Sequence, residues 1–304
     1  MRSVFLITMR TFSYLGIIAC LASGSAWPQN APVAPSSGPD DGIVTNGTYI
    51  TKYFDLSYPL PSGWKEAMTG APPTYAGYYV LRTLAPVGDQ TGTILIAAQD
   101  TLFAAGAFQD ATVMARKIGQ AMSEIDSMTI DRPPSEITIA GRPFSRVDFS
   151  GVGLFRSTLI TQIRCHLVSF NLTANNPDLL AALVHSFDHL GRSRERGAGD
   201  VDPVCMKTRA PLEHLLTKVD PSANASHTPI PVRIIIDAGG SVKHVHVIRA
   251  TTAQRSAIET ALSQWKFKPP EVDGRVVELE TGLLIEFTPG ETVKYLASDL
   301  AQPF

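Results

Sequence analysis

The chain has 304 residues, 44% hydrophobic and 18% charged, with 26 basic against 28 acidic side chains and a formal charge of -2. At roughly 100–200 residues per domain there is room for two domains, and the balanced charge excludes the broad basic surface on which nucleic-acid binding depends. Three cysteines exclude a disulfide-dense mini-scaffold, and no stretch after the leader offers the roughly 18–20 apolar residues of a membrane-spanning helix.

Arg2 and Arg10, the apolar run from Phe12 to Ala22 and the small residues Gly24-Ser-Ala26 read as a secretory leader, residues 1–26, cleaved after Ala26. A rival reading takes Ile17-Ile-Ala-Cys20, which resembles a bacterial lipobox; Cys20 is then lipidated and the protein is an outer-membrane lipoprotein. The expected location is periplasmic or secreted, with membrane contact only through such a lipid or an uncleaved leader. Residues 27–43, with Pro28, Pro32, Pro35 and Pro39, are expected to form an extended tether.

A first folded unit is expected over residues 44–190. Tyr49-Ile50, Phe54 to Tyr58, Tyr78 to Leu84 and Thr93 to Ala98 have the aromatic and β-branched content of strands. Asp110 then caps a helix whose Ala111, Met114, Ala115, Ile118 and Met122 recur at helical spacing. Glu136 to Ile139, Phe144 to Phe149, Leu154 to Ile163 and His166 to Thr173 predict a mainly antiparallel sheet, before Pro177 opens a second helix. The segment Tyr53-Phe-Asp-Leu-Ser-Tyr-Pro-Leu-Pro-Ser-Gly-Trp64 within this order resembles the opening of PsbP/DcrB-like α/β sandwiches. That resemblance implies a fold and carries over no catalytic residue.

Residues 191–210, rich in Arg and Gly, read as a linker, and Leu212, Leu215, Leu216 and Val219 after it as a short amphipathic helix. Cys165 and Cys205 are an even pair once Cys20 is removed. In an oxidising compartment they either form a disulfide, stabilising by roughly 4 kcal/mol through closure of a ~40-residue loop, or remain two thiols.

In the last unit, residues 211–290 ahead of a tail at 291–304, Val232 to Ile236 turns at Asp237-Ala-Gly239-Gly240 and returns as Val242 to Ile248. Thr251 or Thr252 caps a helix ending near Trp265, and a strand from Leu279 to Phe287 closes the unit. Ile234 to Val242, Trp265-Lys-Phe-Lys-Pro269, Asp273-Gly274 and Leu284-Ile-Glu-Phe287 together resemble the TonB carboxy-terminal domain. The resemblance implies a periplasmic module that pairs a strand with a short segment of an outer-membrane transporter. The fold class expected for the whole is therefore α+β, an antiparallel-sheet α/β sandwich followed by a small TonB-like ββαβ domain.

An edge strand leaves backbone donors and acceptors that an extended peptide can satisfy. The candidate edge is Leu279, Glu280, Thr281, Gly282, Leu283, Leu284, Ile285, Glu286 and Phe287, with Glu278, Glu280 and Glu286 on a polar face, either selecting a basic partner or guarding against aggregation. His185/His189 and His244/His246 supply only two ligands each, so surface imidazoles are expected and no metal or cofactor. No nucleophile elbow, zinc helix or phosphate loop is present. The expected function is a non-enzymatic envelope adaptor with a protein partner and no nucleic acid. The alternative is a periplasmic carrier of a small ligand or lipid in the first unit.

Overall fold

Ile94, Ile96 and Ala98 stand in register with Leu172, Phe170 and Val168, and all six are buried, so strict alternation commits both segments to strands sharing a core face. The computed structural model describes residues 38–88, 92–104, 110–193, 202–206, 212–222, 228–287 and 293–297. The expected leader and Cys20 lie outside them, as does most of the tail. Within the expected tether, residues 38–42 are described, and they are docked: Gly38 and Pro39 are buried and the Arg82 guanidinium donates to the Gly42 carbonyl.

The first strands are β1 (Ile43–Thr45), β2 (Thr48–Thr51) and β3 (Leu56–Pro59), which form a small antiparallel sheet. After them come β4 (Trp64–Thr69), β5 (Tyr78–Pro86), β6 (Gly92–Asp100), α1 (Ala111–Ser123), β7 (Met128–Ile139), β8 (Arg142–Gly151), β9 (Leu154–Ile163), β10 (His166–Ala174) and α2 (Pro177–Ser186). The seven strands run in the order β4-β5-β6-β10-β9-β8-β7, all neighbours antiparallel. Asp110 caps α1 by accepting from the amides of Thr112 and Val113, and Asn176 caps α2 through Leu179. The helices cover opposite faces of the sheet. Ala115 of α1 packs on Ile160 and Leu167, while Leu180 and Leu183 of α2 join Phe170, Leu172 and the aromatic residues of β2 and β3.

The C-terminal half contributes β11 (Val204–Cys205), β12 (Leu215–Thr217), β13 (Ile230–Ile236), β14 (Val242–Val247), α3 (Thr252–Leu262), β15 (Lys266–Phe267), β16 (Glu271–Val272), β17 (Arg275–Val276), β18 (Leu279–Glu286) and β19 (Lys294–Ala297). Thr251 and Gln254 close a capping box at the start of α3. Asp273 and Gly274, at φ of 51° and 72°, make the β16–β17 turn, a left-handed pair that an Asp-Gly sequence tolerates. The expected hairpin, helix, strand order is present, and the core of Val232, Ile234, Ile258, Leu262, Trp265 and Leu283 lies under α3.

Two expectations change here. Leu215 and Leu216 belong to β12, paired with β15, and not to an amphipathic helix, because strand pairing satisfies their backbone where a short isolated helix would leave its ends open. The linker also contributes structure, since β11 pairs in parallel with β18. The described residues belong to one compact unit. Among the described residues no helix is long and apolar enough to cross a membrane.

Candidate functional site

β18 is an inner strand. On one side it pairs antiparallel with β13 along Leu279 to Ile285. On the other, β11 occupies Leu279 and Glu280, and β19 occupies Leu283 to Glu286. The expectation that residues 279–287 present an open edge is therefore corrected: the chain's own segments occupy its outer side at Leu279, Glu280 and Leu283 to Glu286, and the amides of Val204 and Met206 donate to the carbonyls of Glu278 and Glu280.

One side chain of β19 sits in a socket of its own. The Tyr295 ring meets Trp265 edge-on at 5.1 Å, its hydroxyl donates to Asp220 at 2.8 Å, and the Lys218 ammonium lies 4.4 Å from its centroid. Lys294 stands in register opposite Glu286. The Asp220 hydrogen bond and the partial burial of Tyr295 together push its phenol above the usual range, burial being the larger cause.

The polar face of this sheet is likewise not solvated. Arg233 lies in register with Gly282 on one side and His246 on the other, and Ile235 with Glu280 and His244, so all share the face opposite α3. That face is pressed on the sandwich. Gly282 makes the approach feasible: a Cβ there would lie 2.7 Å from Phe103 Cζ and 3.2 Å from Leu102 Cδ1.

A charge cluster fills the seam. Arg233 of β13 donates to Asp100 at the end of β6, and its other terminal nitrogen is 2.7 Å from Glu280 of β18. Arg164, in the β9–β10 turn, grips Glu280 with Nε and Nη2 at 3.0 Å each, and Tyr53 donates its hydroxyl to the same carboxylate at 2.9 Å. Two cations thus balance two anions, and Asp100, Arg233 and Glu280 among them are buried. Glu280 is accordingly no selector of basic partners.

Burial raises the Glu280 carboxyl, but Arg233 and Arg164 outweigh it and hold the group below its ordinary range. Burial raises Asp100 against the pull of Arg233. For Arg233 burial acts downward and the two carboxylates more than reverse it, so the guanidinium stays charged.

His166 stands in register with Asp100 and is completely buried, ringed by Tyr53, Phe54 and Tyr79. Burial, then Arg233 and Arg164, drives its pKa well below the usual histidine value. His246 faces Tyr79, its Nε2 3.4 Å from the phenol oxygen, and burial followed by Arg233 lowers it to about 4. His244 and His246 are thus half-buried seam residues, and not the exposed imidazoles that alternation with Val245 and Val247 implies. His185 and His189 are exposed, and His185 pairs with Asp188 at 2.7 Å. Among the described residues no three His, Cys, Asp or Glu side chains are grouped to hold a metal.

Cys165 and Cys205 are joined as a disulfide, with sulfurs 1.99 Å apart. The bond links the turn carrying Arg164 and His166 to β11, so it crosses the seam beside Glu280. A polar pocket of about 220 Å³ opens nearby, lined in part by Tyr53, Asp55, Arg142, Arg164, Arg192 and Asp202. Sequence reasoning missed the whole seam. Its one visible signal was Arg233, a charged residue inside a run of β-branched residues.

No protein-family model matches the chain, and no curated protein matches it in sequence. Among solved structures, cyanobacterial PsbP from Synechocystis is similar over 53% of this chain and 99% of its own, at 14% identity and a TM-score of 0.36. LpqN of Mycobacterium tuberculosis, described as involved in cell envelope biogenesis, is similar over 45% of this chain and 82% of its own, at 12% identity and a TM-score of 0.31. A protein of Bacteroides thetaiotaomicron is 20% identical over 49% of this chain, which spans 48% of that protein, with a TM-score of 0.28. At those scores the likenesses carry no argument about activity. The first is to the kind of protein that the Tyr53 to Trp64 segment resembles.

Proposed function

We propose that the chain is a non-enzymatic binding protein of the cell envelope that engages an extended segment of a protein partner, such as an outer-membrane transporter, by exchange with its own β19. One observation carries this reading: the outer edge of β18 from Leu283 to Glu286 is covered by β19, whose Tyr295 is seated against Trp265, Lys218 and Asp220. An added partner strand would make the same main-chain bonds and present its own side chain to the Trp265, Lys218 and Asp220 socket. The disulfide supports an oxidising compartment, and the TonB-like order of hairpin, helix and strand supports the partner class. Asp100, His166 and Glu280 of the seam are buried, which favours binding over catalysis.

The test uses a fluorescent peptide with the sequence of residues 293–299 added to the full chain. Tyr295→Ala should bind it about tenfold more tightly than the unaltered chain, as expected for loss of roughly 1.4 kcal/mol of competing internal contact. A peptide with alanine at the tyrosine position should bind about tenfold more weakly. Failure of both chains to bind the first peptide defeats the proposal.

The polar pocket favours a second reading, a carrier of a small ligand. Its 220 Å³ falls below the ~300–1,000 Å³ of drug-sized sites, so the ligand would be small and polar and not a lipid chain. A thermal-shift screen of small carboxylates, read against Arg192→Ala, tests it.

A further inference from the structure

A buried imidazole ordinarily makes hydrogen bonds with both nitrogens, because each unmade bond leaves a desolvated polar atom. His166 makes none within the protein: neither ring nitrogen has a hydrogen-bond partner among the described residues. Asp100 Oδ2 is 3.8 Å from Nε2, beyond hydrogen-bond distance, and already accepts from Arg233. The surrounding rings of Tyr53, Phe54 and Tyr79, at centroid distances of 5.4, 5.1 and 6.0 Å, form a box suited to an aromatic hydrocarbon. A histidine in that box contributes nothing to packing that phenylalanine would lack. What it adds is the capacity to take up a proton.

We infer that His166 is the trigger of an acid-sensitive latch between the sandwich and the C-terminal sheet. The groups facing it from every packed element are Asp100 of β6, Tyr79 of β5, Tyr53, Arg164 of the β9–β10 turn, Arg233 of β13, His246 of β14 and Glu280 of β18. With His166 neutral, Arg164 and Arg233 balance Asp100 and Glu280. A proton on His166 leaves one uncompensated cation buried beside two guanidinium groups. Separating the two halves lets water solvate all five charges, and neither half then keeps an unpaired ion buried. The Cys165–Cys205 bond crosses the seam, so opening is a hinge movement of a tethered pair and closes again when the proton leaves.

The sign follows from burial. The folded state holds His166 below its unfolded pKa, so the closed form is fully stable above about pH 6.5 and is weakened as pH falls below that value.

The test follows the radius of gyration by small-angle scattering, and strand content by far-ultraviolet circular dichroism, on the oxidised full chain from about pH 7.5 to about pH 4.5. The unaltered chain should expand reversibly with its strand signal retained. His166→Phe should stay compact to roughly one pH unit lower or more, while His189→Ala, at an exposed position, should open with the unaltered chain. Expansion of His166→Phe at the original pH overturns the latch, as does a chain that stays closed until its strands melt. Should His166→Phe fail to fold, the His166 ring-proton resonance of the unaltered chain decides: it must titrate with the expansion, and a ring that stays neutral through it defeats the proposal.

Discussion

Arg233 and Asp100 stand 133 positions apart in sequence and meet in a buried ion pair that binds the C-terminal sheet to the end of the sandwich. Removing one member strands the other in a medium that does not solvate it. Arg233→Met should therefore cost about 3–5 kcal/mol in urea denaturation. Joint replacement of Arg233, Asp100 and Glu280 by apolar residues of similar size should cost less than Arg233→Met alone, because Arg164, at 11% side-chain exposure, can still reach water. A triple variant less stable than the single would contradict this account of the seam.

The disulfide acts on β11 more than on the sandwich. Cys165→Ala with Cys205→Ser should lower stability by about 2–5 kcal/mol. The local signature is hydrogen exchange: the Val204 and Met206 amides, which donate to β18, should lose protection while amides of β6 and β10 keep theirs. Equal loss everywhere would mean that the bond stabilises only through the unfolded chain.

Gly282 is required by space. Gly282→Ala should destabilise by about 1–3 kcal/mol in thermal or denaturant melts, since its Cβ meets Phe103 and Leu102. Gly141→Ala is the contrast. A Cβ there meets nothing within 4 Å, and its cost is confined to the strain of a φ of 74°, roughly 1 kcal/mol.

His246 gives a second pH signature. Burial, with Arg233 beside it, lowers its folded pKa to about 4 from the usual histidine value of 6.5, so the unfolded chain binds the extra proton between those values and stability falls as pH drops through that window. The slope for one such group is at most about 1.4 kcal/mol per pH unit. His246→Phe should flatten the stability curve between pH 6.5 and pH 4; an unchanged slope in denaturant midpoints would assign the acid sensitivity elsewhere.

The sequence by itself determined the elements. Asp110, Pro177 and the pair Thr251-Thr252 mark the helix starts among the described residues because capping is a contact among near neighbours, the structure choosing Thr251, and period-two alternation locates most strands because each strand carries its own record of inside and outside. Cys165 and Cys205 were legible as a pair, though not whether they would bond. Only the tertiary structure decided the fate of residues 279–287. Alternation says that Glu280 and Gly282 share a face and that β18 has two edges; it cannot say what covers them. The cover comes from Val204–Cys205, Lys294–Ala297 and the Asp100 to Phe103 corner, all distant in sequence. A local pattern reports the polarity of a face, whereas burial of charge depends on a compensating charge that arrives from elsewhere in the chain.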